Sequence, residues 1–220
     1  LRNRMTEFAV RDIDIQSNNK IFDVDAIISI DDHDFDSLLV VTANDDFVDK
    51  INNANANALI ILDGKDGEFQ VNNQSIHLKP NQYIASNQVV DVKAIDGSAK
   101  TQHHFNSSRA KFNVDNTLNS NEENDLANQE DRLTLFNLDD NTTLKGVDIK
   151  NHNLVTVHFS SKNSIIKSQG KSNITIDDVN LIDERPMSGE DYLDSVNVHY
   201  APAIAIFDSQ NVTIKNISTR

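Results

Sequence analysis

The chain has no cysteine and no tryptophan, only six glycines and three prolines, and an aromatic content of 6%. Without cysteine there is no disulfide framework, no thiolate metal site and no cysteine nucleophile. The redox compartment stays open, because bacterial surface proteins also avoid cysteine. With few aromatic rings to supply volume, Ile, Val and Leu must fill the core. Positive charge is scarce as well: 20 Lys and Arg against 34 Asp and Glu leave a net charge of −14. That balance argues against nucleic acid, whose phosphates need a basic surface, and against docking on anionic lipid. No apolar run approaches the roughly 18–20 residues of a membrane helix, and no signal-peptide pattern is visible. A glycine-rich phosphate loop and a serine nucleophile elbow are also missing. At 220 residues the chain suits one domain or two small ones and can bury a core.

Asparagine is what the chain has in excess, with 29 residues. Joined to β-branched residues, it points to many short strands linked by tight turns, where Asn tolerates the left-handed backbone region. Residues 1–19 read as a strand or linker. Ala26-Ile27-Ile28-Ser29-Ile30, Ser37 to Thr42 and Leu59-Ile60-Ile61-Leu62 read as strands. Between the last two, Asn44 or Asp45 can cap a short helix carrying Phe47, Val48, Ile51 and Ala54 on one face. From Gly67 onward short strands follow quickly. Residues 113–131 are rich in Asn, Asp and Glu and read as a polar loop.

A repeat occupies residues 133–220. Asn141-Thr142-Thr143-Leu144, Asn173-Ile174-Thr175-Ile176 and Asn211-Val212-Thr213-Ile214 each follow an apolar strand and lead through a kink to a third strand. A polar insertion at 184–195 lengthens the second interval; without it the period is about 26, the scale of a stacked repeat. One such unit cannot bury its apolar face alone, but stacked units can. Asn141, Asn173 and Asn211 then form a structural ladder at the turn.

These segments resemble the right-handed parallel β-helix of the pectate-lyase-like superfamily. Arg4-Met5-Thr6-Glu7 with Val10-Arg11-Asp12-Ile13-Asp14-Ile15 is similar to the junction after the outer-membrane barrel of inverse-autotransporter proteins. Leu59-Ile60-Ile61-Leu62-Asp63-Gly64 and Ile76-His77-Leu78-Lys79-Pro80-Asn81-Gln82-Tyr83-Ile84 resemble the capping turns that open bacterial surface β-helices. The resemblance implies an all-β fold: a right-handed single-stranded parallel β-helix, or solenoid, over residues 20–220, with a short N-terminal capping helix. It also implies a fragment of a longer bacterial chain, incomplete at its C-terminus. Such a passenger sits on the extracellular side of the cell surface, tethered to an outer-membrane barrel but not itself embedded. Its partners would be a host surface or a glycan.

Few constellations carry chemistry. Asp177-Asp178 is a carboxylate pair of the kind that works as general acid and base. Neighbours on a strand point to opposite faces, however, so the pair reads as a solvated turn. In the insertion, Asp183, Glu184, Arg185 and Asp191 have the residue types of a Ca²⁺-dependent lyase. The alternative to a surface loop there is a polysaccharide lyase or glycoside hydrolase acting on acidic polysaccharide. Residues 31–36 read as a solvated acidic turn; the alternative makes Asp31, Asp32, Asp34 and Asp36 candidates for Ca²⁺, which takes six to eight oxygen ligands. The histidines, among them His103, His104, His152, His158 and His199, lack zinc spacing. The Asn-x-Ser/Thr sequons at Asn106, Asn141, Asn173, Asn211 and Asn216, three of them generated by the repeat, read as turn chemistry. The function expected from the sequence is non-catalytic: a surface-exposed stalk or adhesin-like passenger that displays loops, with no resident cofactor.

Overall fold

Apolar runs interrupted every few residues by Asn, Asp or Gly cannot sustain long helices, and they fold as short strands. The computed structural model describes residues 3–4, 7–9, 16–17, 20–21, 26–94, 96, 99–116, 134–152, 164–184 and 203–220. The early strands are β1 (Asn3–Arg4), β2 (Glu7–Ala9), β3 (Gln16–Ser17), β4 (Lys20–Ile21), β5 (Ala26–Ile30), β6 (His33–Phe35) and β7 (Ser37–Thr42). Helix α1 (Phe47–Asn53) comes next. After it run β8 (Ala58–Asp63), β9 (Phe69–Asn72), β10 (Ile76–His77), β11 (Tyr83–Ser86), β12 (Val89–Ala94), β13 (Lys100–His104) and β14 (Ala110–Asp115). The last are β15 (Phe136–Asn137), β16 (Thr143–Asn151), β17 (Ile166–Gln169), β18 (Ser172–Asp183), β19 (Ile204–Phe207) and β20 (Gln210–Thr219).

Parallel pairing dominates. β7, β8, β11, β16, β18 and β20 lie side by side in one ten-stranded sheet, each parallel to the next. The far half of β16 also pairs with β14, which pairs with β9. β2 joins the same sheet antiparallel to β7. A second sheet, β10-β15-β17-β19, is wholly parallel. Between the two lies the main core. Phe47, Phe69, Phe112 and Phe136 form a connected aromatic group there, with centroids 5.0, 4.9 and 5.2 Å apart along the chain of contacts. Full burial of each such ring contributes about 1.5–3 kcal/mol.

The remaining strands correct the expected single right-handed parallel β-helix over 20–220. The described strands divide among four sheets, and one of these, β13-β12-β5-β6, is entirely antiparallel. It has its own apolar cluster, built from Ala26, Ile28, Ile30, Phe35, Val90 and Val92 against Leu38, Leu59 and Ile61 of the parallel sheet. The physical cause is local. Asp31 and Asp32 both adopt positive φ, 50° and 63°, and close β5 onto β6 in a two-residue hairpin. The short helix expected between the 37–42 and 59–62 strands is present as α1, which follows β7 and packs Phe47 on Phe69. Asp46, not Asn44 or Asp45, stands at its N-cap and makes no side-chain capping bond, while Asp45 accepts from the Thr42 amide at 2.7 Å. Of the expected polar loop at 113–131, Asn113 to Asp115 belong to β14, and residues 117–131 lie outside the described residues.

Two rows of left-handed residues shape the parallel strands. Asn57, Asn81, Asn141, Asn173 and Asn211 have φ of 59°, 63°, 57°, 60° and 52°. They occupy equivalent points, just before β8, β11 and β16 and at the second residue of β18 and β20. Their amides repeat one contact: Asn57 N donates to Pro80 O, Asn81 N to Asp140 O and Asn141 N to Ser172 O, at 2.9–3.0 Å. Farther along, Gly146, Asp178 and Asn216 (φ 70°, 54° and 54°) form a second row. There the strand alternation is interrupted, so Leu144 and Val147 are both buried although three positions apart, as are Ile176 and Val179.

The left-handed bend predicts unequal effects of two substitutions. Asn173→Gly keeps the backbone conformation and loses side-chain hydrogen bonds, costing about 1 kcal/mol. Asn173→Val also forces a β-branched residue to positive φ, for a total of about 2–3 kcal/mol. Urea unfolding midpoints measure both, and equal losses would count against the bend as the constraint.

Candidate functional site

In-register parallel strands bring like positions together, so the outer face carries rows of polar side chains. Lys145, Asp177 and Lys215 form one row. Asp177 is only 6% exposed, and its Oδ2 lies 3.6 Å from the Nζ of both lysines. Asn216 Nδ2 donates to its Oδ1 at 2.7 Å. Burial pushes the Asp177 carboxyl up, but Asn216, Lys215 and Lys145 outweigh it and hold the group below the usual carboxylate range. A second row is Asp148, Asn180 and Ser218, in which Asn180 donates to Asp148 and Ser218 to Asn180, each at 2.6 Å.

Arg109, just before β14, ties Asp148 of this row to Asp178 of the left-handed row. Its Nε donates to Asp148 Oδ1 at 2.6 Å and its Nη1 to Asp178 Oδ2 at 2.8 Å. Its Nη2 donates to the carbonyls of Val147 and Asp178 at 3.1 and 2.9 Å. Burial opposes the guanidinium charge, yet the hydrogen bonds to Asp178 and Asp148 raise its pKa. The segment is held from the other side at Gly64, whose N–H donates to Ser108 O at 2.9 Å. A Cβ at position 64 would lie 2.4 Å from the Arg109 carbonyl oxygen, so only glycine fits.

Between this face and the Asp31-Asp32 turn lies a groove of about 490 Å³, lined by Tyr83, Gln88, Arg109, Lys145 and Asp178 among others. A smaller cavity of about 180 Å³ adjoins it, sharing Ile30, Asp31 and Tyr83 and adding His33, Asn141 and Thr143. Tyr83 donates to Gln88 Oε1 at 3.3 Å. Its phenol is pushed up to about 12, by burial first and then by the charges of Asp31 and Asp177. At neutral pH it is a hydrogen-bond donor and not a base. Of the Asp177-Asp178 pair, the first is buried against two lysines, and the second, half exposed at the left-handed kink, is bound by Arg109.

The structure separates the residues singled out from the sequence. Asp183 ends β18, where its N–H donates to Arg220 O at 2.9 Å. Glu184 follows, with Oε2 3.3 Å from His152 Nε2. Arg185 and Asp191 lie outside the described residues, as do His158 and His199. Asp31 and Asp32 sit at the hairpin tip, Asp34 on β6 and Asp36 beyond it, all exposed. Among the described residues no three His, Asp or Glu side chains gather in a metal-binding arrangement. Asn141, Asn173 and Asn211 are brought into one row: Asn141 Nδ2 donates to Asn81 Oδ1 at 2.9 Å, Asn173 to Asn141 at 2.7 Å and Asn211 to Asn173 at 3.1 Å. Sequence reasoning missed Asn81, whose Asn81-Gln82-Tyr83-Ile84 has the form of the later repeats. It missed Arg109 for a different reason, because its partners lie 39 and 69 positions away.

A further feature concerns the strand ends. Val114 is in register with Asn151, Asn151 with Asp183, and Asp183 bonds to Arg220. The C-terminal ends of β14, β16 and β18 therefore lie next to one another along one edge. Charged pairs line this edge: Lys150 Nζ to Glu68 Oε1 at 2.9 Å, and His152 to Glu184.

No protein-family model, no curated protein and no solved structure matches this chain.

The Asp177 environment sets an acid limit. Because its folded pKa is depressed, it adds stability that is fully present above the unfolded value of about 3.9 and lost as pH falls through the folded value. Asp177→Asn should cost about 2 kcal/mol at pH 7 and flatten the fall in stability below about pH 4. Thermal melts across pH 2–7 measure this, and parallel profiles for the two proteins would contradict it.

Proposed function

We propose that this chain is a non-catalytic display scaffold: a stalk or adhesin-like passenger exposed at the bacterial cell surface. It holds its connecting segments together for contact with a host surface or a glycan. The observation that carries this reading is the common edge formed by the C-terminal ends of β14, β16 and β18. Stacked strands fix where each segment starts and leave its sequence free to vary, which suits recognition by loops on a rigid frame. The groove supports the same reading. Its cations are engaged by protein carboxylates, Arg109 by Asp148 and Asp178 and Lys145 by Asp177, so they act as ties between strands. Tyr83 is a poor base for proton abstraction. The acidic surface favours solubility and disfavours lateral association. The likeness of Arg4-Met5-Thr6-Glu7 to a post-barrel junction is what supports the cell-surface location.

Replacement of residues 185–202 by a Gly-Ser linker tests the proposal. Retention of wild type and variant on immobilised polysaccharides and on whole cells would be compared, with circular dichroism and melting as fold controls. The scaffold reading predicts at least tenfold weaker retention at an unchanged melting temperature, and no turnover. Release of unsaturated products or reducing ends from polygalacturonate, with or without Ca²⁺, would replace it by a lyase or hydrolase reading.

A further inference from the structure

We infer that the groove beside the Asp31-Asp32 turn, together with the cavity that adjoins it, is a binding site for a neutral saccharide. The larger part, about 490 Å³, falls within the range of roughly 300–1,000 Å³ typical of small-molecule sites. The smaller part, about 180 Å³, carries the groups that specify the ligand: Asp31, His33, Asn81, Tyr83 and Thr143. None of these belongs to the connecting segments, so the inference goes beyond the display reading and stands or falls separately.

An interruption of the asparagine row supplies one of these groups. Each member donates through Nδ2 to Oδ1 of the member before it: Asn211 to Asn173, Asn173 to Asn141 and Asn141 to Asn81. The next step would take Asn81 Nδ2 to Asn57, which has the same left-handed bend. His33 stands there instead, with Nε2 2.8 Å from Asn57 Oδ1. The carboxamide oxygen can only accept, so Nε2 donates to it. The Asn81 amide is left at the cavity wall with no acceptor among the described residues. The same bond ties β6 to the row, which fixes the far wall, and it leaves His33 Nδ1 as an acceptor in the neutral imidazole.

The open groups therefore mix donors with acceptors. Asn81 donates, the Asp31 carboxylate and His33 Nδ1 accept, and the Thr143 hydroxyl does either. No described side chain bonds to the Asp31 carboxylate or the Thr143 hydroxyl. Sugar hydroxyls both donate and accept, so a saccharide satisfies all four, whereas an apolar ligand would cover them unpaired. The half-buried Tyr83, in edge contact with Phe35 at 6.0 Å, adds apolar ring surface for the C–H groups of a sugar. Charge sets the class. Arg109 and Lys145, the cations of the groove, are paired with Asp148, Asp178 and Asp177, while Asp31 has no ion-pair partner among the described residues. A uronate would set its carboxylate near Asp31 without a counterion, which favours an uncharged sugar.

The intact ¹⁵N-labelled protein is titrated with maltotriose, cellotriose, mannotriose, triacetylchitotriose and trigalacturonate, followed by amide NMR. The expected result is saturable binding of at least one neutral trisaccharide with a Kd of about 1 mM or below, and weaker binding of trigalacturonate. Shifts should centre on Asp31, His33, Asn81, Tyr83 and Thr143. Asp31→Gly keeps the left-handed turn and removes the acceptor. Asn81→Asp keeps the Oδ1 that accepts from Asn141 and removes the donor. Each should weaken binding at least fivefold while the rest of the spectrum matches wild type; replacing residues 185–202 by the Gly-Ser linker should leave the affinity unchanged. No saturable binding of any neutral trisaccharide, tighter binding of trigalacturonate, or affinities indifferent to both substitutions would overturn the inference. Loss of binding on replacing residues 185–202 alone would overturn it too, and would assign the sugar to the displayed segments.

Discussion

An asparagine in the left-handed region, repeated at the same point of successive parallel strands, is the constraint on which the rest depends. Most L-residues resist positive φ, but Asn tolerates it and carries both a donor and an acceptor. Asn81, Asn141, Asn173 and Asn211 use both properties, since each bends the backbone and each is hydrogen-bonded to its neighbour in the row. A bend that is bonded to the next bend fixes register. A slip of one residue would turn Leu144 and Ile176 outward and bring Lys145 and Asp177 into the core. The parallel sheets, the aliphatic rows and the aromatic group around Phe112 all rest on that alignment.

Stacking in register carries an electrostatic hazard, because identical charges would face one another at strand spacing. The chain alternates sign instead, with Lys145, Asp177 and Lys215 in succession. Arg109 serves the same end from outside the row, spanning Asp148 and Asp178 with its planar fork. A chain with net charge −14 thus balances opposite charges along this stacked face.

What could be read from the sequence was what repeats locally. The three Asn-x-Thr-aliphatic segments, the short strands from Gly67 to Ala94 and the helix carrying Phe47, Val48 and Ile51 all have local signatures. The antiparallel sheet did not. Ala26 to Ile30 and Val89 to Ala94 alternate like any half-buried strand, and alternation does not say which way a neighbour runs. Only the two-residue Asp31-Asp32 turn announces a hairpin, and reading 31–36 as one acidic turn hides β6. Arg109 was illegible because its contacts depend on three strands meeting, and the burial of Asp177 was illegible because lysines from neighbouring strands are not a local property.

Side-chain amide NMR of the uniformly labelled protein tests the asparagine row most directly. The account predicts nuclear Overhauser contacts linking Asn81 to Asn141, Asn141 to Asn173 and Asn173 to Asn211 in unbroken order, with all four backbones at positive φ. A break in that order, or extended φ at Asn141 or Asn173, would contradict it.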